Sequence, residues 1–288
     1  MAIPAEVRAR AERLLDLHRG PRLLVLPNAW DAASARAFAA HPRCVALATS
    51  SAGCAAVLGY PDGELVPRDD MLDLVARIVR AVDVPVPADL EAGYGDRPDD
   101  AAETAIAALA AGAVGMNLED GRAHPHAASG PLVPVAAHAA KVGAVREAAL
   151  RLGVPFVLNA RVDAYIREAG EPAGRFEETV TRANAYLRAG ADSIFVPAVT
   201  DAETIGRLAA AVDGPLNVLG APTTPPVAEL ERLGVRRLTV GSGPHRATLA
   251  QTARMASALL DDGTLGFLAD SLPFADAQRL LGAGPDRP

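Results

Sequence analysis

Leu109-Ala-Ala-Gly-Ala-Val-Gly-Met-Asn-Leu-Glu119 holds the unit from which the chain is built: the end of a helix, a glycine that stops it, and an apolar run closing on polar residues. The pattern returns at Leu152-Gly-Val-Pro-Phe-Val-Leu-Asn-Ala-Arg161, at Ala189-Gly-Ala-Asp-Ser-Ile-Phe-Val-Pro197 and at Leu233-Gly-Val-Arg-Arg-Leu-Thr-Val-Gly-Ser242. A glycine just past a helix turns left-handed without steric cost, and a continuous apolar run suits a strand covered on both faces. Less regular segments bring the expected strands to eight, near residues 23–26, 45–49, 86–91, 114–119, 156–161, 193–197, 216–219 and 237–241. Helical patterns lie between them, the clearest over residues 69–82, where Met71, Val75, Ile78 and Val82 share a face. Eight strand–helix units predict an α/β fold, the (β/α)8 TIM barrel, over residues 1–262. Residues 263–288 then form an extra C-terminal helical extension, apolar at Phe274, Ala275, Leu280 and Leu281. An open doubly wound sheet is the fallback, weakened because Pro27-Asn28-Ala29-Trp30 stands where a Gly-x-Gly-x-x-Gly would follow the first strand.

The 288 residues and 29.7 kDa accommodate one barrel, which commonly takes about 250 residues. The net charge of −7 comes without a basic block, which argues against a nucleic-acid partner. Cys44 and Cys54 belong to no Cys-x-x-Cys or Cys/His spacing, so neither a disulfide framework nor structural zinc is expected. Glu6, Arg8, Arg10, Glu12, Arg13 and Asp16 interrupt the N-terminal apolar residues, a pattern of a surface helix and not of a secretory signal. The longest apolar tract, residues 104–118, is too short to span a bilayer. A soluble cytoplasmic protein without a membrane partner is the expectation.

Barrel enzymes build their sites at the C-terminal ends of the strands. Those ends carry Asn28, Trp30 and Asp31; Ser50 and Ser51; Asp89 and Glu91; Asn117, Glu119 and Asp120; Asn159 and Arg161; Asn217; and Ser242. Asp89 and Glu91, two apart on a strand, point to the same side, and paired carboxylates resist burial unless a cation sits between them. Mg2+ or Mn2+ suits such hard oxygen ligands, with Asp89 binding and Glu91 and Glu119 acting directly or through water. Arg161 reads equally as a fork for a substrate carboxylate or phosphate and as a structural partner for the acids. Glu119-Asp120 reads as ligand or as solvated turn, and Ser50-Ser51-Ala52 as a plain turn or as an anion cradle of backbone N–H groups. Trp30 reads first as packing, and both it and Asn217 count as substrate-binding candidates by position.

What is missing narrows the chemistry. Lys141, the single lysine, falls in a helical stretch, which excludes a Schiff-base aldolase. With 4% aromatic residues and no acid ending the seventh strand, a sugar hydrolase is disfavoured. Metal-assisted chemistry on a small anionic substrate survives.

Pro27-Asn-Ala-Trp-Asp-Ala-Ala-Ser-Ala, Ala48-Thr-Ser-Ser-Ala-Gly with Leu58-Gly-Tyr-Pro-Asp62, Asp89-x-Glu-x-Gly-Tyr-Gly95, Gly115-Met-Asn-Leu-Glu-Asp120 and Asn159-Ala-Arg-Val-Asp163, in this order, resemble the isocitrate lyase/phosphoenolpyruvate mutase superfamily. The resemblance implies a (β/α)8 barrel in a dimer or tetramer whose last helix swaps between subunits. It implies Mg2+ at Asp89, with Asp62, Glu91 and Glu119 completing an acidic shell. An α-oxo acid would be bound by the backbone at Ser50, Ser51 and Ala52 together with Arg161. The implied reaction breaks a C–C bond of a small 2-oxo or 2-hydroxy diacid through a pyruvate-enolate type of intermediate. Phosphonomutase or phosphonopyruvate hydrolase chemistry at a P–C bond is one alternative, and a non-catalytic metabolite-binding barrel is another. The lyases' Lys-Lys-Cys-Gly-His loop is replaced here by Gly121-Arg-Ala-His-Pro-His-Ala-Ala-Ser-Gly130, which leaves Arg122 and His124 as the catalytic candidates on a lid over the bound anion. An oxaloacetate-type decarboxylase or a related diacid lyase needs no cysteine acid.

Overall fold

The computed structural model describes residues 3–121 and 130–282. Among the described residues nine short strands follow one another as β1 (Leu24–Leu26), β2 (Asn28–Ala29), β3 (Ala48–Thr49), β4 (Ala88–Asp89), β5 (Gly115–Glu119), β6 (Val157–Arg161), β7 (Ser193–Val196), β8 (Leu216–Leu219) and β9 (Arg237–Thr239). All pair in parallel, in the orders β1-β9-β8-β7-β6-β5-β4 and β2-β3. β1 and β2 are one barrel strand broken at Pro27, whose nitrogen has no proton to donate. Leu47 N and Thr49 N donate to the Pro85 and Pro87 carbonyls, both at 3.2 Å, which joins β3 to β4 and closes the ring. The eight expected strands therefore form the barrel. The second and third are shorter than their apolar runs because Pro85 and Pro87 cannot donate to the ladder.

The helices are α1 (Ala5–Arg19), α2 (Ala32–Ala39), α3 (Ser51–Val57), α4 (Arg68–Arg80), α5 (Pro98–Ala110), α6 (Val135–Arg151), α7 (Arg175–Arg188), α8 (Ala202–Ala211), α9 (Val227–Arg232), α10 (Gly243–Leu260) and α11 (Phe274–Gly282). α5, α6, α7 and α9 end as the sequence predicts: Gly112, Gly153, Gly190 and Gly234 have φ of 90°, 64°, 114° and 93°. After each, the next N–H turns back to a carbonyl of the last helical turn, as in Ala113 N to Ala108 O at 2.9 Å and Val235 N to Leu230 O at 3.0 Å. α4 buries Met71, Val75 and Ile78 on its inner face, matching the periodicity over 69–82. α1 is pinned by His18, whose Nδ1 faces the Leu14 carbonyl at 2.8 Å while Nε2 lies 3.3 Å from Nη1 of the buried Arg237. Burial and the Arg237 charge lower the His18 pKa to about 4, so the ring is a neutral acceptor.

α10 departs from the ring of covering helices. Only His245 of its residues is buried, and Leu249, Leu259 and Leu260 are exposed. Correspondingly Val25, on the outer side of β1, is 42% exposed and opens on a groove of about 1320 Å³ lined by Leu17, Leu23, Phe38, Val45 and Val227. α11 returns to the body, where Arg36 Nη1 donates to the Leu280 and Leu281 carbonyls. Among the described residues no helix is long and apolar enough to cross a membrane.

Candidate active site

Asp89 ends β4, and its carboxylate is oriented by the first residue of α3 and by β5. Oδ2 accepts from Ser51 N at 3.1 Å and Ser51 Oγ at 3.0 Å, and Oδ1 accepts from Asn117 Nδ2 at 3.1 Å. The hydrogen bonds continue round the barrel, from Asn159 Nδ2 to Asn117 Oδ1 at 2.8 Å and from Ser193 Oγ to Asn159 Oδ1 at 2.6 Å. Each amide is thereby held in one orientation. On the other side Asn28 donates to the Thr49 carbonyl at 2.8 Å and accepts from Val240 N and Gly241 N at 2.8 and 2.9 Å, so it clamps the first barrel strand to both neighbours.

β4 ends at Asp89 and the chain turns sharply beyond it, so Glu91 reaches the site from that turn and not, as the sequence predicts, by strand alternation. Glu91 and Tyr94 hold left-handed conformations, φ 52° and 59°, which cost side-chain-bearing residues energy and mark a constrained site. Glu64, also left-handed at φ 58°, stitches this turn to the loop bearing Asp62: its N–H donates to Glu91 Oε2 at 2.6 Å and its Oε1 accepts from Tyr94 N at 2.8 Å. From below, Lys141 Nζ on α6 donates to the Ala92 and Gly95 carbonyls at 3.0 and 2.6 Å. Gly95 is obligatory here, since a Cβ would lie 2.5 Å from Asp100 Oδ2. Burial first, then the charges of Asp62 and Asp89, push Glu91 up to about 8. Burial and the Asp89 charge likewise raise Asp62, although part of that side chain meets solvent. Three acids thus crowd together without a basic side chain bonded to them among the described residues.

Glu119 and Arg161, paired ends of β5 and β6, are arranged differently. Arg161 Nη1 lies 2.6 Å from Glu119 Oε2, and its Nε and Nη2 donate to Asp163 at 2.6 and 3.1 Å. Arg167 adds a contact to Asp163 Oδ2 at 3.4 Å. Burial pushes the Glu119 carboxyl up while the Arg161 charge pulls it down. The guanidinium also lies 5.8 Å from the centre of the Phe195 ring. Arg161 is consequently a structural partner of the acids, and among the described residues one N–H on each of its terminal nitrogens has no partner.

The remaining candidates divide. Ser50 caps α3, accepting from Gly53 N at 3.4 Å, and the Ser51 N–H is taken by Asp89, which leaves the Ala52 N–H as the donor of that cradle with no intrahelical partner. Trp30 packs edge-on to Phe38 and His245, centroids 6.3 and 5.4 Å away. Asn217 is fully buried and accepts from Thr239 Oγ1 at 3.3 Å. Asp120 turns away from the mouth, accepting from Tyr186 OH at 2.7 Å, Arg182 Nη1 at 3.1 Å and Asp163 N at 2.8 Å; it is a buried strut. Arg122 and His124 lie outside the described residues. Sequence reasoning missed Asp163, Glu64 and Lys141. Asp163 had a signal, being two residues beyond Arg161 in extended chain.

The donor set suits a hydrated divalent ion better than a dry cage. Among the described residues no three His, Cys, Asp or Glu side chains converge closely enough to hold a metal by themselves. Mg2+ keeps several waters and uses one or two carboxylates, a habit matched by Asp89 with Asp62, Glu91 and Glu119 around it.

The model of the phosphoenolpyruvate phosphomutase family matches residues 14–260. The chain belongs to that family. It is an enzyme of the isocitrate lyase/phosphoenolpyruvate mutase superfamily, whose members generally depend on a divalent metal. An uncharacterized Mycobacterium tuberculosis (strain ATCC 25618 / H37Rv) member is 36% identical over 267 residues, 92% of this chain and 95% of the relative. The oxaloacetate decarboxylase of Bradyrhizobium sp. (strain BTAi1 / ATCC BAA-1182) is 30% identical, covering 85% of this chain and 82% of its own. Among solved structures, oxaloacetate acetylhydrolase in complex with the inhibitor 3,3-difluorooxalacetate superposes with TM-score 0.82 at 26% identity, covering 95% and 93% of the two chains.

Proposed function

We propose that this family member is a Mg2+-dependent (or Mn2+-dependent) lyase or decarboxylase that cleaves a C–C bond of a small 2-oxo or 2-hydroxy diacid, oxaloacetate being the first compound to try. The observation that carries this reading is the crowding of Asp62, Asp89 and Glu91 beside Arg161, at the mouth where the strands end. A bound divalent ion would supply Lewis-acid stabilisation of the negative charge that develops on the substrate oxygen. Asp89, with Glu91, Asp62 and Glu119 around it, would hold that ion. Arg161 offers its two unused N–H groups to the substrate carboxylate, with the Ala52 N–H supplementing them. In an oxaloacetate reaction the C–C bond breaks, carbon dioxide leaves and the electron pair stays on pyruvate's enolate carbon, which then takes a proton. We assign that proton delivery to the segment carrying Arg122 and His124.

The apolar groove beside β1 and the exposed α10 support a homo-oligomer in which the C-terminal helices of one subunit lie on another. The division into a barrel at 1–262 and an extension at 263–288, and a cytoplasmic location, belong to the same proposal. The test is pyruvate release from oxaloacetate, 2-methylisocitrate and 2,3-dimethylmalate, with Mg2+ and with EDTA. Metal-dependent turnover of one of them is expected. Inertness toward all three, with phosphonopyruvate consumed instead, would move the reading to P–C bond chemistry.

A further inference from the structure

Arg167 lies one turn beyond the Arg161–Asp163 fork, its N–H bonded to the Asp163 carbonyl at 2.9 Å. Its guanidinium reaches into the same mouth but is poorly occupied there. Nε donates to Asp163 Oδ2 at 3.4 Å, and Nη2 stands 3.9 Å from Glu119 Oε1, too far for a hydrogen bond. Both terminal nitrogens therefore keep their donors unspent among the described residues, and the side chain is 25% exposed where Asp163 is fully buried. As a structural prop Arg167 is redundant, because Asp163 already receives two shorter bonds from Arg161. Fixing a long side chain costs rotamer freedom, poorly repaid by one long bond. The space is nevertheless reserved: a Cβ on Gly121 would come within 2.3 Å of Asp163 Oδ2 and 3.0 Å of Arg167 Nε.

Arg161 is engaged by both Glu119 and Asp163, so a ligand with a second anionic group needs another cation at this mouth. We propose that Arg167 receives the far anionic group, a carboxylate or a phosphonate, of a dianionic substrate whose near carboxylate meets Arg161, and so selects diacids over monoacids. The assignment rests on the lyase reading above.

Calorimetry with Mg2+ present tests it, using 3,3-difluorooxaloacetate, phosphonopyruvate and pyruvate as probes on the wild-type chain, Arg167→Gln and Arg167→Lys. Arg167→Gln should weaken one of the two dianions about tenfold or more while pyruvate moves less than about twofold, and Arg167→Lys should recover part of the loss. Loss confined to phosphonopyruvate identifies the far group as a phosphonate, and loss confined to difluorooxaloacetate as a carboxylate. In turnover the same variant should raise KM for the diacid more than it lowers kcat. Equal weakening of pyruvate and the dianions, or no weakening at all, overturns the role of Arg167. A wild-type chain that binds none of the probes overturns the lyase reading, and this proposal with it.

Discussion

Two groups of acids share one mouth and solve the same electrostatic problem in opposite ways. Glu119 and Asp163 are ion-paired from within by Arg161 at 2.6 Å, with Arg167 more distant at 3.9 and 3.4 Å. Asp62, Asp89 and Glu91 have no guanidinium of their own; backbone, hydroxyl and amide groups donate to Asp89 and Glu91, and burial with the charges of Asp62 and Asp89 lifts Glu91 to about 8. A barrel could have placed an arginine there too. Pairing one group with a guanidinium and leaving the other without one separates a rigid wall from a place for a cation.

The largest effect expected from disturbing this contrast is on the ion-paired side. Arg161→Met strands two buried carboxylates, and chemical denaturation should show a loss of about 3–5 kcal/mol along with all activity. A variant of unchanged stability would mean that the pair set is decoration. On the anionic side the sign reverses with pH. In the metal-free protein Glu91 holds its proton up to about 8, against an ordinary value of 4.5 when unfolded, so the folded state binds more protons and stability falls as pH rises between those values. The melting temperature without metal should drop from pH 5 to pH 8, and Mg2+ should raise it more at pH 8 than at pH 5. Glu91→Gln should flatten the metal-free profile; a profile as steep as wild type would show that other groups cause it.

A smaller effect is expected at Lys141. Lys141→Met leaves the Ala92 and Gly95 carbonyls without their donor, and the cost should be about 1–3 kcal/mol with weakened Mn2+ binding, visible by electron paramagnetic resonance. Lys141→Arg should not restore it, because a planar fork does not fit between two carbonyls that a compact ammonium joins. The smallest effect belongs to Asp62, partly open to water. Asp62→Asn should weaken Mg2+ by a few-fold, about 1 kcal/mol, in calorimetry.

How much of this was legible in the sequence follows the range of the interactions. The barrel was, because its signals are local: Gly112, Gly153, Gly190 and Gly234 stop helices through their own backbone angles. Asp89, Glu91, Glu119 and Arg161 were placed at one mouth because strand ends converge in this architecture. What each of them does there was not legible, since that depends on partners far along the chain. Glu91 is tied to Glu64 across 27 residues, and the loop after Asp89 hangs on Lys141 from another helix. Asp120 reads in the sequence as ligand or solvated turn beside Glu119, yet it is neither: it turns to Arg182 and Tyr186 behind the strand. The exposure of α10 had no local signature either, for an amphipathic helix reads the same on its own barrel or on a neighbour's.

The central claim is that the uncompensated acids form a cation site with Asp89 at its centre. Titration of Mn2+ into the wild-type chain and Asp89→Ala, followed by electron paramagnetic resonance, measures it without reference to any substrate. Saturable binding in the wild type, lost in a variant that still melts cooperatively, is the predicted result. Undiminished binding in Asp89→Ala would contradict the account.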